Sequence, residues 1–232
     1  MHWFPRFFLV PDCPGCGRPL AAGRSLPGDG VFCPECALAC APPAPPWCPG
    51  CGLPVAWEGP CARCLREPPP FAGAFAALPY EGPVSAAIRR GKYGAAPWVF
   101  GRLGTLLTPL VAAVGPATIV PMPVTPAAWS ARGYAPPAQL AASARRDLDR
   151  RAFPLRALLR RTRDAPAQAS LTLEERQKLS PSEFAVEGPV SDARVILIDD
   201  VVTTGATVAA ATRALLAAGA REVWVVSLAR TL

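Results

Sequence analysis

Apolar and polar residues follow a regular rhythm only from about residue 71 onward. There, residues 83–93 and 97–114 carry helical spacing, and each opens on a proline, which suits a first helical turn where its missing N–H is not needed. Residues 117–121 read as a short β-branched strand running into the loop Pro121-Met-Pro-Val-Thr-Pro. Residues 136–151 read as a helix, 155–159 fit either state, and 173–179 form a short helix after a polar loop. The clearest run comes last: strand over 194–198, helix over 207–218 ended by Gly219, strand over 222–228. Apolar strand, short turn, helix and apolar strand make a right-handed βαβ unit, so the expected class is α/β with a mainly parallel sheet and flanking helices.

Before residue 71 no such rhythm exists, and composition gives the reason. Sixteen of the 30 prolines and all nine cysteines of the 232-residue chain fall in the first 70 residues. Proline removes backbone donors and fixes φ, so this part is not expected to form long helices or a central sheet. Two parts are therefore expected: a cysteine-rich module over 1–70 and an α/β domain over 71–232. Eight cysteines form four Cys-x-x-Cys pairs: Cys13/Cys16, Cys33/Cys36, Cys48/Cys51 and Cys61/Cys64. Two thiolates from one tight turn reach a single tetrahedral zinc, and two such turns complete a four-sulfur site. An internal repeat supports this reading, since Cys13-Pro-Gly-Cys-Gly-Arg-Pro-Leu recurs as Cys48-Pro-Gly-Cys-Gly-Leu-Pro-Val. Gly17 and Gly52 suit the positive φ of a knuckle turn. The simplest partition is sequential, two pairs per metal; interleaved ligation and a single site are the alternatives, and Cys40 is left over. A redox-active pair would be expected at a helix start beside a strand, not four times in a proline-rich stretch. The closed zinc sites would be structural.

The apolar stretches 103–114 and 223–228 fall short of the about 20 residues that span a bilayer, so no membrane insertion is expected. Residues 1–10 are apolar but broken by Pro5 and Arg6, with no small-residue cleavage site before the first cysteine pair. The expected address is the cytoplasm, where paired thiols stay reduced and bind metal.

Twenty-four basic against seventeen acidic residues give a net charge of +7, and 22 of the 24 are arginine. That balance suits a phosphate-rich partner, whether nucleotide, sugar phosphate or nucleic acid. The densest patch is Arg145, Arg146, Arg150, Arg151, Arg156, Arg160, Arg161 and Arg163, which reads either as a solvated face or as a track for single-stranded nucleic acid. The only histidine, His2, is far in sequence from every other candidate.

Chemistry in an open parallel sheet sits where the strands end. There the chain reads Val195-Ile-Leu-Ile-Asp199-Asp200-Val-Val-Thr203-Thr204-Gly205-Ala206-Thr207. Four apolar residues deliver two adjacent carboxylates to the sheet edge, and a Thr/Gly turn then opens a helix whose N–H groups converge on an anion. Carboxylates that accept from vicinal hydroxyls beside a phosphate cradle suit a ribose phosphate. An ATPase reading fails, because the only Gly-Lys, Gly91-Lys92, has Ala86 five residues before the glycine and Tyr93 after the lysine. A Gly-x-Gly-x-x-Gly dinucleotide fingerprint is also missing after this strand.

Residues 195–207 resemble the phosphoribosyl pyrophosphate (PRPP) motif of type I phosphoribosyltransferases. Nearly the whole chain is similar to the ComF/GntX family, in which a cysteine-rich zinc module precedes such a domain. The resemblance rests on Tyr80, Lys92-Tyr93-Gly94, Pro121-Met-Pro-Val, Arg132-Gly133-Tyr134 and Arg161-Thr-Arg-Asp-Ala-Pro-Ala-Gln168, followed by Leu171, Arg176 and Phe184. Two places differ: Ala135-Pro136 stand where the family usually has Asn-Gln, and Leu179 where it usually has Asn.

The resemblance implies a type I phosphoribosyltransferase-like sheet and a PRPP site. Asp199 and Asp200 would hold the ribose hydroxyls, directly or through Mg²⁺. Thr203, Thr204, Gly205, Ala206 and Thr207 would cradle the 5′-phosphate. Pro123, Val124, Thr125 and Arg132 would face the pyrophosphate, and the stretch from Arg161 to Gln168 would form a flexible hood. It also implies natural competence as the context, with single-stranded DNA and DNA-uptake proteins as partners. The alternative to a PRPP-dependent transferase is a non-catalytic accessory of DNA uptake.

Overall fold

The protein was analysed as a computed structural model, which describes residues 11–20, 30–41, 44–162 and 183–232. His2, Arg163, Gln168, Leu171, Arg176, Leu179 and the helix expected over 173–179 lie outside the described residues.

The α/β class is observed. Four parallel strands, β1 (Gly73–Pro79), β2 (Thr118–Pro121), β5 (Arg194–Val202) and β6 (Glu222–Arg230), form one sheet in the order β1-β6-β5-β2. Helices α3 (Gly82–Tyr93), α4 (Trp98–Leu103), α5 (Thr108–Val114), α6 (Pro126–Arg132) and α7 (Pro136–Ala144) lie between the first strands in sequence, and α8 (Ala206–Ala217) joins β5 to β6. A small antiparallel pair, β3 (Leu159–Arg161) with β4 (Phe184–Val186), stands apart from the sheet.

Side chains alternate across a strand, so β5 feeds two cores at once. Ile196 and Ile198 pack with Val84 and Ile88 of α3, Phe100 and Leu103 of α4, and Leu140 of α7. Val195 and Leu197 pack on the other face with Val208, Ala211 and Leu215 of α8 and with Phe184. A sheet covered on both faces explains why its central strands read as continuous apolar runs.

Several expected elements change on inspection. β1 was not legible, because Gly-Ala-Phe-Ala-Ala-Leu-Pro is poor in β-branched residues. Its small residues serve packing: a Cβ on Gly73 would come 2.5 Å from the Trp224 ring. The single helix expected over 97–114 is α4, a 3₁₀ turn over Gly104–Leu107, and α5. Gly104 passes so close to α7 that a Cβ there would meet Ser143 Cβ at 2.6 Å. The helix expected over 136–151 stops at Ala144, where Arg145 turns back and its Nε donates to the Phe153 carbonyl at 2.6 Å. The loop after β2 holds α6, capped by Thr125, whose hydroxyl accepts from the Ala128 N–H at 3.1 Å. The strands expected over 194–198 and 222–228 run on to Val202 and Arg230.

The cysteine-rich part holds two short helices, α1 (Pro34–Ala39) and α2 (Ala62–Arg66). Metal alone does not account for its packing, because Leu20, Val31, Phe32 and Cys40 are buried in the same core as Val84, Ile88 and Phe100. Among the described residues no helix is long and apolar enough to cross a membrane.

Candidate functional site

β2 and β5 run side by side, with Thr118 opposite Val195 and Pro121 opposite Ile198, so both deliver their C-terminal ends to one edge of the sheet. Asp199 and Asp200 sit there, followed by the turn 203–205. Gly205 adopts φ +84° as the N-cap of α8, a left-handed conformation that strains any residue with a Cβ. This conformation bends the chain sharply from strand to helix and leaves the first N–H groups of α8 at the cleft, where an anion is favoured.

A cleft of about 490 Å³ opens at this edge, and it gathers Asp199, Asp200, Thr203, Thr204, Gly205, Ala206, Thr207, Pro123, Val124, Thr125, Arg132 and Arg161. Of the stretch expected as a hood, residues 163–168, Gln168 among them, lie outside the described residues. Arg161 reaches in from β3, with its Nε donating to the Pro123 carbonyl at 3.2 Å and its guanidinium 5.0 Å from the Phe184 ring centre. Arg132, in the last turn of α6, lies over the Tyr93 ring at 5.5 Å. The Thr125 hydroxyl caps α6 by accepting from the Ala128 N–H, which leaves its O–H as a donor.

The carboxylates are not equivalent. Burial, with the Asp200 charge beside it, pushes the Asp199 carboxyl up to about 7, against the opposing pull of the Asp200 N–H, Lys92 and Arg161. That N–H donates to Asp199 Oδ1 at 2.8 Å. Asp200 is 8 % exposed and pairs with Lys92, Nζ to Oδ2 at 2.7 Å. Burial works against the Lys92 charge, but attraction to Asp200 outweighs it and the ammonium holds its proton more tightly than an ordinary lysine. Two adjacent carboxylates are an all-oxygen donor set, which suits a hard cation such as Mg²⁺.

Lys92 and Tyr93 line the cleft without having been assigned a role from sequence, as do Tyr80, Met122, Ala128 and Pro137. The signal for Lys92 was composition: a lysine in a chain that otherwise uses arginine almost throughout. Pro137 follows the Ala135-Pro136 departure and makes that wall of the cleft apolar.

The eight-arginine run is not one track. Arg145 is engaged with the Phe153 and Arg150 carbonyls, Arg160 pairs with Glu187 at 2.6 Å, and Arg161 points to the cleft. Arg146, Arg150, Arg151 and Arg156 remain exposed.

The cysteines gather as the sequential partition expects: Cys13, Cys16, Cys33 and Cys36 in one quartet and Cys48, Cys51, Cys61 and Cys64 in the other. Within each, the sulfurs lie within 4.8 Å of one another, and the Cys16–Cys33 and Cys51–Cys61 pairs are 3.7 Å apart. That spacing fits four thiolates around a tetrahedral zinc. Each quartet also receives a backbone N–H on sulfur at 3.3 Å, Cys33 to Cys13 and Cys61 to Cys48, as thiolate ligands favour. Arg18 beside Cys16 holds that thiol down to about 6. Cys40 belongs to neither quartet, and burial in the core pushes its thiol up to about 11.

Residues 139–231 match the phosphoribosyl transferase domain family. Over nearly its whole length the chain is similar to the DNA utilization protein YhgH of Escherichia coli strain K12, at 32% identity over 241 residues covering 94% of this chain and 96% of that protein. The protein of the same name from Salmonella typhi is 30% identical over 235 residues, covering 95% of this chain and 90% of that one.

Proposed function

Because the chain belongs to the ComF/GntX family, a zinc-binding-capable cysteine module joined to a type I phosphoribosyltransferase domain, we propose that it binds PRPP with Mg²⁺ at the ends of β2 and β5 and transfers the 5-phosphoribosyl group. The observation that carries this reading is the convergence of an acidic pair, a Thr/Gly anion turn and two arginines on one cleft.

In this reading the turn Thr203–Thr207 holds the 5′-phosphate through backbone N–H groups and hydroxyls at the start of α8. Asp199 and Asp200 accept from the ribose hydroxyls, which fixes the anomeric carbon relative to the leaving group. Arg132 and Arg161 face the pyrophosphate and attract the charge that develops on it. Mg²⁺ bound with PRPP would add charge neutralisation at the same oxygens. Displacement at the anomeric carbon through an oxocarbenium-like state needs positioning and charge stabilisation more than a strong base. This agrees with a cleft that contains no histidine among its described residues. An acceptor proton would go to an acidic-pair carboxylate, for which Asp199 near 7 is suited, or stay with the acceptor.

The biological setting we propose is DNA uptake in the cytoplasm, in keeping with relatives named for DNA utilization, with single-stranded DNA or DNA-uptake proteins as partners. A second reading, PRPP binding without turnover, is favoured by the apolar wall at Pro137, where the family pattern has polar residues just upstream. Pyrophosphate release measured with Mg²⁺-PRPP across a panel of nucleobases separates the two. Release that one base accelerates at least tenfold supports transfer; tight PRPP binding with no release for any base supports the binding module.

A further inference from the structure

Lys92 is the one lysine among the described residues of a chain with 22 arginines. It stands in the last turn of α3, a place where the helix dipole favours a cation. Its ammonium lies 2.7 Å from Asp200 Oδ2, with the two side chains only 21% and 11% exposed. The phosphoribosyl reading makes no use of this pair. It asks Asp199 and Asp200 to serve ribose hydroxyls and a divalent cation, yet the acidic pair already holds a cation.

The choice of lysine is chemically specific. An ammonium is a compact point charge that can sit where a small metal ion would, whereas a guanidinium spreads its charge over a planar fork. A buried pair of this kind resists opening, because removing one partner leaves the other charged and unsolvated. Free Mg²⁺ offers Asp200 a replacement charge but offers Lys92 nothing. Metal carried on a pyrophosphate offers both, a cation for the carboxylates and an anion for the ammonium.

We propose that Lys92 is the resident counter-ion of the acidic pair, closing it to free divalent metal and yielding only to metal that arrives bound to a pyrophosphate-bearing substrate. This rests on the PRPP reading of the cleft and adds to it an order of events: substrate and metal enter together, and the cleft is not preloaded with metal. Lys92 is then a positioning residue that acts through Asp200, and Arg161 and Tyr93 are the other groups whose charge or ring bears on that corner of the cleft.

Mn²⁺ titrated into the full chain without substrate, followed by electron paramagnetic resonance, tests this. Wild type is expected to show no Mn²⁺ site that depends on Asp200. Lys92→Gln is expected to gain one, at least tenfold tighter than any wild-type binding, and Lys92→Gln/Asp200→Asn to lose it again. Equal Mn²⁺ binding in wild type and Lys92→Gln, or no gained site in Lys92→Gln, would overturn the proposal. Far-ultraviolet circular dichroism of each variant confirms that it is folded before the titration is read. PRPP binding to wild type by calorimetry reports separately: a gained Mn²⁺ site without PRPP binding keeps the counter-ion role and removes the phosphoribosyl reading. PRPP binding without a gained site does the reverse.

Discussion

The two cysteine quartets are near copies in sequence and in local geometry, and they are built into the molecule differently. In each, a bridge closes the knuckle, Asp12 to Pro19 and Trp47 to Pro54, and the first cysteine N–H donates to the carbonyl five residues on, Cys13 to Arg18 at 2.8 Å and Cys48 to Leu53 at 2.7 Å. Each then opens a short helix from a cysteine N-cap, Cys33 for α1 and Cys61 for α2. The difference is what lies behind. The first quartet shares the main core with α3 and α4, and Arg90 of α3 donates to the Cys13 carbonyl at 3.3 Å. The second forms a small cluster of its own with Leu53 and Val55, and leans on the site instead: Arg63, inside its last Cys-x-x-Cys pair, donates to the Thr204 carbonyl at 3.0 Å. The same motif therefore supports the core in one copy and the turn 203–205 in the other.

Removing one cysteine from each quartet should separate the two copies most strongly. Cys13→Ser is expected to lower Tm by on the order of 10 °C, because loss of a structural metal site there also loosens the shared core. Cys48→Ser is expected to lower Tm by less than half as much while weakening PRPP binding by about tenfold or more. Equal Tm losses with equal affinities would erase the distinction. Scanning calorimetry and zinc content by atomic absorption read the first variant, and titration calorimetry adds affinity for the second.

Glycine substitutions probe the two knuckles at matched positions. Gly17 and Gly52 have φ of +76° and +71°, so alanine strains both backbones alike. A Cβ on Gly52 would lie 2.4 Å from the Ala74 carbonyl oxygen, whereas on Gly17 it would meet only the end of the Arg90 side chain at 3.0 Å. Gly52→Ala is expected to cost about 3 kcal/mol and Gly17→Ala about 1 kcal/mol in urea unfolding. A larger cost at Gly17 would mean that the Gly52 backbone has room to move away from the Ala74 carbonyl.

The smallest effect concerns Arg63. Its hydrogen bond is exposed, so Arg63→Ala should leave Tm within about 2 °C and zinc content unchanged. The turn 203–205 loses a brace, and PRPP affinity should fall about three- to tenfold, read by titration calorimetry. Unchanged affinity would leave the second quartet without a route to the site.

The strand-end chemistry was legible from sequence because it is local: an apolar run, two carboxylates and a Thr/Gly turn follow one another within 195–207. The grouping of the cysteines into two sequential quartets was legible because each pair is closed by its own short turn. What sequence did not give was set by distant contact. β1 is a strand because Trp224 and the β6 backbone pair with it, not because Gly-Ala-Phe-Ala-Ala-Leu-Pro favours one. Lys92 enters the cleft because α3 ends beside β5, more than a hundred residues away in sequence. The arginine run looked continuous in the chain and is divided in space, because Arg145 closes a loop and Arg161 turns inward on β3.

In the proposed function the acidic pair and the Thr/Gly turn act as one ribose-phosphate site. Titration calorimetry of PRPP with Mg²⁺ into wild type and Asp199→Asn/Asp200→Asn, at pH 6 and pH 8, tests it most directly. Burial pushes the Asp199 carboxyl up to about 7, and the ionised form is the stronger acceptor for the ribose hydroxyls. Wild type is therefore expected to bind more tightly at pH 8 than at pH 6 by about threefold or more, and the double variant to lose both the affinity and most of that pH dependence. PRPP binding of equal strength and equal pH dependence in the two proteins would contradict the account.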